Sequence, residues 1–352
     1  MAQDATQSRV LVTGAAGTVG RATIAALLAA PDRPAIIATD LDSRGARRAL
    51  RGLGDRVEVV LGDLCDPATL TGRLDGVTAA VHLAAVLPPL ADENPALADR
   101  VNIGGTKSLL AALAAESPAA FFIYGSSISI YGDRVANPEI RVGDPLVPSE
   151  GDHYATTKIA AERAVRTGPL DWTILRLSAV MGGHKMSPLM FHMPLDTSLE
   201  ILTAADAGRA MAKARLARMA LSGKIFNLGG GAACRTSFRA YLDAVFARIG
   251  LGRFDLPETA FATRNFHCGH YADGDELEAL LQFRQDSLAD HLDEVARAWP
   301  WWRRLGMRLI QGPAKAVLAG MSEPLRARRK GIRAAIRRFF GPTPPDGPAP
   351  DG

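Results

Sequence analysis

Cysteine is scarce: only Cys65, Cys234 and Cys268 occur in 352 residues, and they lie far apart. That number and spacing exclude a disulfide framework and point to a reducing compartment. Long apolar runs are also missing, with no eighteen consecutive apolar residues to cross a bilayer. The opening residues Met1 to Ser8 are polar and include Asp4, which does not read as a signal peptide. A cytoplasmic protein is therefore expected. Aromatic residues are few, at 6%, and show none of the spacing of a base-stacking platform. Acidic residues outnumber basic ones across residues 1–300, by 34 to 30, so nucleic acid is not an expected partner. What is plentiful is apolar content, at 47%, enough for a substantial core.

The basic excess sits in one tail. Residues 301–340 hold 11 Lys and Arg against the single acid Glu323. Within it Arg326, Arg329, Lys330, Arg333 and Arg337 recur at helical spacing, with Ile332, Ile336, Phe339 and Phe340 between them. Two readings stand. The segment is either a helix docked by its apolar side, or a basic amphipathic helix making peripheral contact with the inner face of a membrane, where each basic residue adds ~1 kcal/mol. Residues 341–352 are rich in Pro, Gly and Asp and read as disordered.

Short apolar runs at 9–13, 35–39, 57–61, 77–83, 120–124 and 172–177 alternate with helical stretches at 18–30, 43–52, 67–74, 95–116 and 153–167. Such alternation indicates an α/β fold with a Rossmann-type, doubly wound parallel sheet whose ligands bind beyond the carboxyl ends of the strands. The expected division is a nucleotide-binding domain over 1–178, a smaller substrate lobe over 179–300, the basic helical tail over 301–340 and the disordered end. In the lobe, 200–202 and 224–228 read as strands, and 205–221, 237–249, 274–281 and 287–298 as helices.

Between the first strand and first helix stands Thr13-Gly14-Ala15-Ala16-Gly17-Thr18-Val19-Gly20. Glycines there permit a tight turn and let a phosphate approach the helix N-terminus, where free N–H groups favour negative charge. The G-x-x-G-x-x-G spacing differs from the common dinucleotide fingerprint. Asp40, before Leu41 at the end of the second strand, is placed to accept hydrogen bonds from ribose hydroxyls and to repel a 2′-phosphate, which favours NAD over NADP. Asp40 also suits a helix cap, Asp63 a turn, and nearby Arg44, Arg47 and Arg48 can pair with a 2′-phosphate. Asp63, before Leu64, is placed for the adenine edge. His82-Leu83-Ala84-Ala85 offers small residues for a flat cofactor.

Tyr154 and Lys158 lie four apart on one predicted helix face, downstream of Ser126-Ser127 at the end of the fifth strand. A phenol with an ordinary pKa near ~10 is a poor base at neutral pH. A neighbouring ammonium and a nicotinamide's positive charge lower that value. Ser127 then holds the substrate oxygen while Tyr154 exchanges its proton.

Taken together these segments resemble an extended short-chain dehydrogenase/reductase of the NAD-dependent epimerase/dehydratase family. The matching stretches are Thr13–Gly20, Asp40, Asp63, His82–Ala85, Val101–Thr106, Ser126–Gly132, Tyr154–Lys158 and Arg176–Gly182, with 205–210 and 223–228 similar to that family's second lobe. The resemblance implies Ser127, Tyr154 and Lys158 as catalytic residues, with Tyr154 the acid/base and Lys158 also a ribose binder. It implies Asn102 beside the nicotinamide ribose, Thr18 and Val19 on the pyrophosphate, and a homodimer built as a four-helix bundle from the helices near 95–116 and 153–167. The implied reaction is hydride transfer at a secondary alcohol of a small-molecule substrate, a sugar nucleotide or related sugar or polyol. Ala179 stands where sugar-nucleotide members carry Asn, and only about thirty residues separate Arg176 from Asp206. A hydroxysteroid- or lipid-type dehydrogenase at a membrane surface is the alternative. A non-catalytic NAD-binding sensor or assembly protein is the alternative of another class. His267, Cys268 and His270 lack a four-ligand spacing without a distant Cys234, His184 or His192, so no metal is expected.

Overall fold

The computed structural model describes residues 8–182 and 186–342. The leader reading of Met1 to Gln7, His184, and the disorder expected over 343–352 lie outside them. Seven strands form one parallel sheet: β1 (Arg9–Thr13), β2 (Ala35–Asp40), β3 (Val57–Leu61), β4 (Val77–His82), β5 (Phe121–Ser127), β6 (Asp171–Leu177) and β7 (Lys224–Leu228), in the order β7-β6-β5-β4-β1-β2-β3. Register aligns Thr13 with Thr39 and His82, and Ser127 with Leu177. All the strands therefore end along one edge, where the chain reverses between β1 and β4 and a crevice opens.

Alternate residues feed two cores. Val10, Val12, Phe121 and Ile123 pack on one face with Ile24 and Leu27 of α1 (Thr18–Ala29). Leu11, Phe122 and Tyr124 pack on the other with Leu109, Leu110 and Leu113 of α2 (Thr106–Glu116). The helix α3 (His153–Arg166) lies beside α2 and carries Tyr154 and Lys158. α4 (Ala204–Ala214) packs across α1, and a Cβ on Gly208 would stand 2.4 Å from the carbonyl carbon of Ala22.

Several expectations change. β7 belongs to the main sheet, so the chain returns to the nucleotide-binding layer after residue 178 instead of leaving it. Residues 67–74 hold only a 3₁₀ turn, Pro67–Thr69, because Asp66 caps Ala68 N and Gly72 takes a positive φ. The stretch 95–116 is helical throughout, as its sequence predicts, but it widens part-way: Pro95–Ala98 runs into a π-helical segment over Asp99–Gly105, then into α2. The lobe packs its own core of Phe191, Phe238, Phe246 and Phe261 beneath α5 (Phe238–Ile249).

The tail forms four short helices, α6 (Trp301–Leu309), α7 (Gln311–Gly320), α8 (Glu323–Lys330) and α9 (Arg333–Phe340). Its last two dock on the lobe: Leu325, Ala327 and Phe339 are buried, Ser322 Oγ donates to Ala260 O at 2.5 Å, and Thr263 N donates to Phe339 O at 2.9 Å. For residues 323–340 the docked arrangement holds.

Candidate active site

The glycine turn is built by steric necessity. Gly14 has φ +66°, and a Cβ there would lie 2.8 Å from Ala84 N and Leu83 C at the end of β4. A Cβ on Gly20 would lie 2.1 Å from Gly14 O. Gly17 precedes α1 with no side-chain cap, which leaves the first N–H groups of the helix, at Thr18, Val19 and Gly20, directed out of its end. Thr13 Oγ1 accepts from Leu83 N (3.1 Å) and Ala84 N (3.2 Å), tying β1 to the small-residue turn after β4. With that oxygen accepting, its proton goes to His82 Nδ1 at 2.7 Å, and His82 Nε2–H meets Thr106 Oγ1 at 2.9 Å. His82 is thus a fully buried neutral imidazole, its pKa pulled down to about 3 by burial with Lys158 adding to the effect.

A cleft of about 610 Å³ runs from this turn past Asp40, Leu41, Asp63 and Leu64. Asp40 Oδ2 accepts from Ala16 N and Oδ1 from Leu41 N, both at 2.8 Å, so the carboxylate is held with lone pairs to spare. Asp63 is oriented by Arg100 Nη1 at 2.7 Å, which holds its carboxyl below the usual range. The cleft continues into a second hollow of about 260 Å³ lined by Ser127, Tyr154, Lys158 and the α1 N-terminus. The two share Gly14, Gly17, Leu83, Ala85 and Leu87.

Ser127 ends β5, and its side chain hydrogen-bonds Tyr154. One turn along α3, Lys158 Nζ donates to Gly125 O at 2.8 Å and sits 4.7 Å from the Tyr124 ring centroid and 5.8 Å from that of Tyr154. Two carboxylates brace the helix start, Asp152 accepting from Ala155 N (2.8 Å) and Asp92 from Tyr154 N (3.1 Å). Burial brings the Lys158 amine down to about 8 against the opposing pull of Glu162. Burial also pushes the Tyr154 phenol above its ordinary value, with the Ser127 hydrogen bond opposing. The lowering expected from Lys158 is not among the influences on Tyr154, where burial outweighs the Ser127 hydrogen bond.

Residues 10–229 match the NAD dependent epimerase/dehydratase family. The chain belongs to that family. A D-erythronate dehydrogenase of Cupriavidus necator is 35% identical over 136 residues, 38% of this chain and 42% of that one. A 3 beta-hydroxysteroid dehydrogenase/Delta 5-->4-isomerase of Mycobacterium tuberculosis is 33% identical over 167 residues, 45% and 42% of the two chains. The crystal structure of a double mutant of a dTDP-glucose 4,6-dehydratase from Streptomyces venezuelae, with NAD bound, is similar at 25% identity and TM-score 0.65, covering 82% of this chain and 96% of that one. The chain spans less than half the length of the curated relatives it matches.

The cleft of this epimerase/dehydratase-family chain fits NAD, the family's cofactor. A glycine cradle without room for a Cβ faces the free N–H groups of α1, and two carboxylates flank the long end. At the short end the hydroxyls of Ser126 and Ser178, buried and without hydrogen-bond partners, line the hollow and suit an amide such as the nicotinamide carboxamide. Nothing in local spacing marks Ser178 or Arg100 as contributors, and Thr13 stands in the expected Thr13–Gly20 stretch without a separate role there.

Asn102 does not reach the cleft. Its amide is spent on Val86 N (2.7 Å), Val86 O (3.1 Å) and Thr157 Oγ1 (2.9 Å), so it fastens the cleft wall to α3. Arg176 is equally internal, paired with Glu162 and donating to the Tyr131 hydroxyl at 2.7 Å. Ala179 packs against the apolar core of the lobe, so a methyl stands where an amide donor was looked for. His267, Cys268 and His270 turn to separate partners: Asp152 at 3.2 Å, Thr197, and Ser198 at 3.0 Å. Among the described residues no group of three or more His, Cys, Asp or Glu side chains is placed to hold a metal ion.

Proposed function

We propose that the protein is an NAD-dependent oxidoreductase or epimerase acting on a secondary alcohol, with a sugar nucleotide or related sugar or polyol as the leading substrate class. The observation that carries this reading is the convergence of Ser127, Tyr154 and Lys158 in one hollow continuous with the glycine cradle. The Ser127 and Tyr154 hydroxyls bind the alcohol oxygen, and Tyr154 accepts its proton. Lys158, fixed on the Gly125 carbonyl, presents its charge to the phenol and to ribose hydroxyls. Bound NAD supplies the hydride acceptor and the positive charge that favours the phenolate. A cleft that retains the ketone gives epimerisation, and one that releases it gives dehydrogenation.

A second reading, a lipid- or steroid-type alcohol, is supported by Ala179 in its apolar setting and by Val180, Leu87 and Leu90 along the cleft. The resemblance to a hydroxysteroid dehydrogenase over 45% of the chain agrees with it. Dimerisation through α2 and α3 is part of the proposal, as is peripheral attachment of the tail to the cytoplasmic side of a membrane. No helix among the described residues is long and apolar enough to cross one. A purely NAD-binding sensor would use Lys158 for the ribose but would not need the full Ser127, Tyr154 and Lys158 set. The test is turnover of a panel of sugar, polyol and sterol alcohols followed by NADH formation. Tyr154→Phe is expected to abolish turnover while NAD affinity, by calorimetry, stays within a few-fold. Undiminished turnover in that variant overturns the assignment.

A further inference from the structure

Helix α6 presents one bare face. It turns Met307 to the lobe core and Arg304 to the carbonyls of Trp299 (2.6 Å) and Ala296 (3.3 Å). On the other side Trp301, Leu305, Leu309 and Trp302 fall within an arc of about 100°. They are 73%, 51%, 81% and 56% exposed, and Ile310 and Val317 extend the patch at 53% and 69%. No separate stretch of that length among the described residues exposes more than two large apolar side chains. Arg308 borders the arc beside Trp301, the Arg303 guanidinium lies 5.0 Å from the Trp302 ring centroid, and residues 299–322 contain no acid at all.

We propose that this face seats the protein on an anionic lipid bilayer, with the two indoles and two leucines entering the headgroup boundary and Arg303 and Arg308 meeting phosphates. It deepens the peripheral-membrane reading above and moves it. The segment from Arg326 to Phe340, whose sequence pattern suggested the membrane helix, buries Phe339 in the body, whereas α6 and the start of α7 remain open. Charge decides between a bilayer and a second copy of the chain. Two such faces pressed together would bring four such arginines into one contact with no carboxylate from either segment, while an anionic surface supplies the missing charge.

The test uses the full chain with phosphatidylcholine vesicles, with and without phosphatidylglycerol, read by co-sedimentation and tryptophan emission. Binding is expected to be at least tenfold tighter to the anionic vesicles, to weaken with salt, and to shift the emission to the blue. The combined change Trp301→Ser, Trp302→Ser, Leu305→Ser and Leu309→Ser is expected to cost at least tenfold in vesicle affinity while NAD affinity in solution is unchanged, which also reports that the variant is folded. Arg303→Gln with Arg308→Gln should weaken only the anionic preference. Equal binding to both vesicles, or full binding by the fourfold variant, overturns the proposal. So does a concentration-dependent dimer that the serine changes dissolve. Vesicle binding does not depend on turnover, so a failure here is distinct from a failure of the catalytic reading.

Discussion

Glu162→Gln puts a single buried charge to use as a probe of both stability and site acidity. Glu162 and Arg176 meet at 2.8 and 3.0 Å, with side chains only 3% and 4% exposed. Arg176 otherwise has only neutral acceptors, the Tyr131 hydroxyl and Val142 O. Removing the carboxylate leaves a desolvated guanidinium without a counter-charge, which costs about 3–5 kcal/mol. Changing both partners, as Glu162→Gln with Arg176→Met, removes the stranded charge and should cost clearly less than the single change. A second consequence follows one turn away. Glu162 is the charge that opposes burial at Lys158, whose amine stands at about 8. Without it the amine drops further, so any loss of NAD affinity linked to lysine deprotonation should move to lower pH. Urea unfolding of the wild type and the single and paired variants, with NAD affinity measured across pH, reads both effects. A single change costing under ~1 kcal/mol, as an exposed pair does, would refute the reasoning.

Two further expectations concern the nucleotide-binding half. His82 titrates at about 3 when folded and near ~6.5 when unfolded, so between those values only the unfolded chain takes the proton. Stability therefore falls as pH falls from ~6.5 toward ~3, by as much as ~5 kcal/mol from this group. His82→Gln should flatten that acid limb by about one proton, and an unchanged slope in thermal unfolding against pH would contradict the buried neutral assignment. Gly14→Ala forces a Cβ into the left-handed region and against the Leu83–Ala84 backbone, costing roughly 2–5 kcal/mol from strain and overpacking together. Its NAD affinity should fall at least tenfold; native affinity by calorimetry would show that the turn is not the cradle.

The central sheet was legible because its strands are buried on both faces, as Arg9–Thr13 is where its apolar run puts it; the edge strand Val57–Leu61 is half open to solvent, yet its apolar run still marked it. Tyr154 and Lys158 were legible because a four-residue spacing is a local property of one helix. What escaped depends on contacts between distant segments. Lys224–Leu228 looks like any short strand, and only pairing with Asp171–Leu177 assigns it to the main sheet. Asn102 has the residue type of a ligand contact, yet the π-helical segment over Asp99–Gly105 aims its amide at Val86. Ser178 is an unremarkable serine until its hydroxyl is found buried and unpartnered in the hollow. In the tail the charge excess was plain from composition. The choice of which apolar residues are covered was made by the lobe, through Phe339 and Leu325, and could not be read from periodicity alone.

The central claim is that Tyr154 is a buried phenol made into a base only when the cofactor's charge arrives beside it. The direct measurement is the difference absorbance of phenolate, wild type minus Tyr154→Phe, followed against pH with and without saturating NAD. The account predicts no titration of this group below ~10 in the free protein and a clear downward shift once NAD is bound. A phenol that titrates at the same pH in both conditions would contradict it.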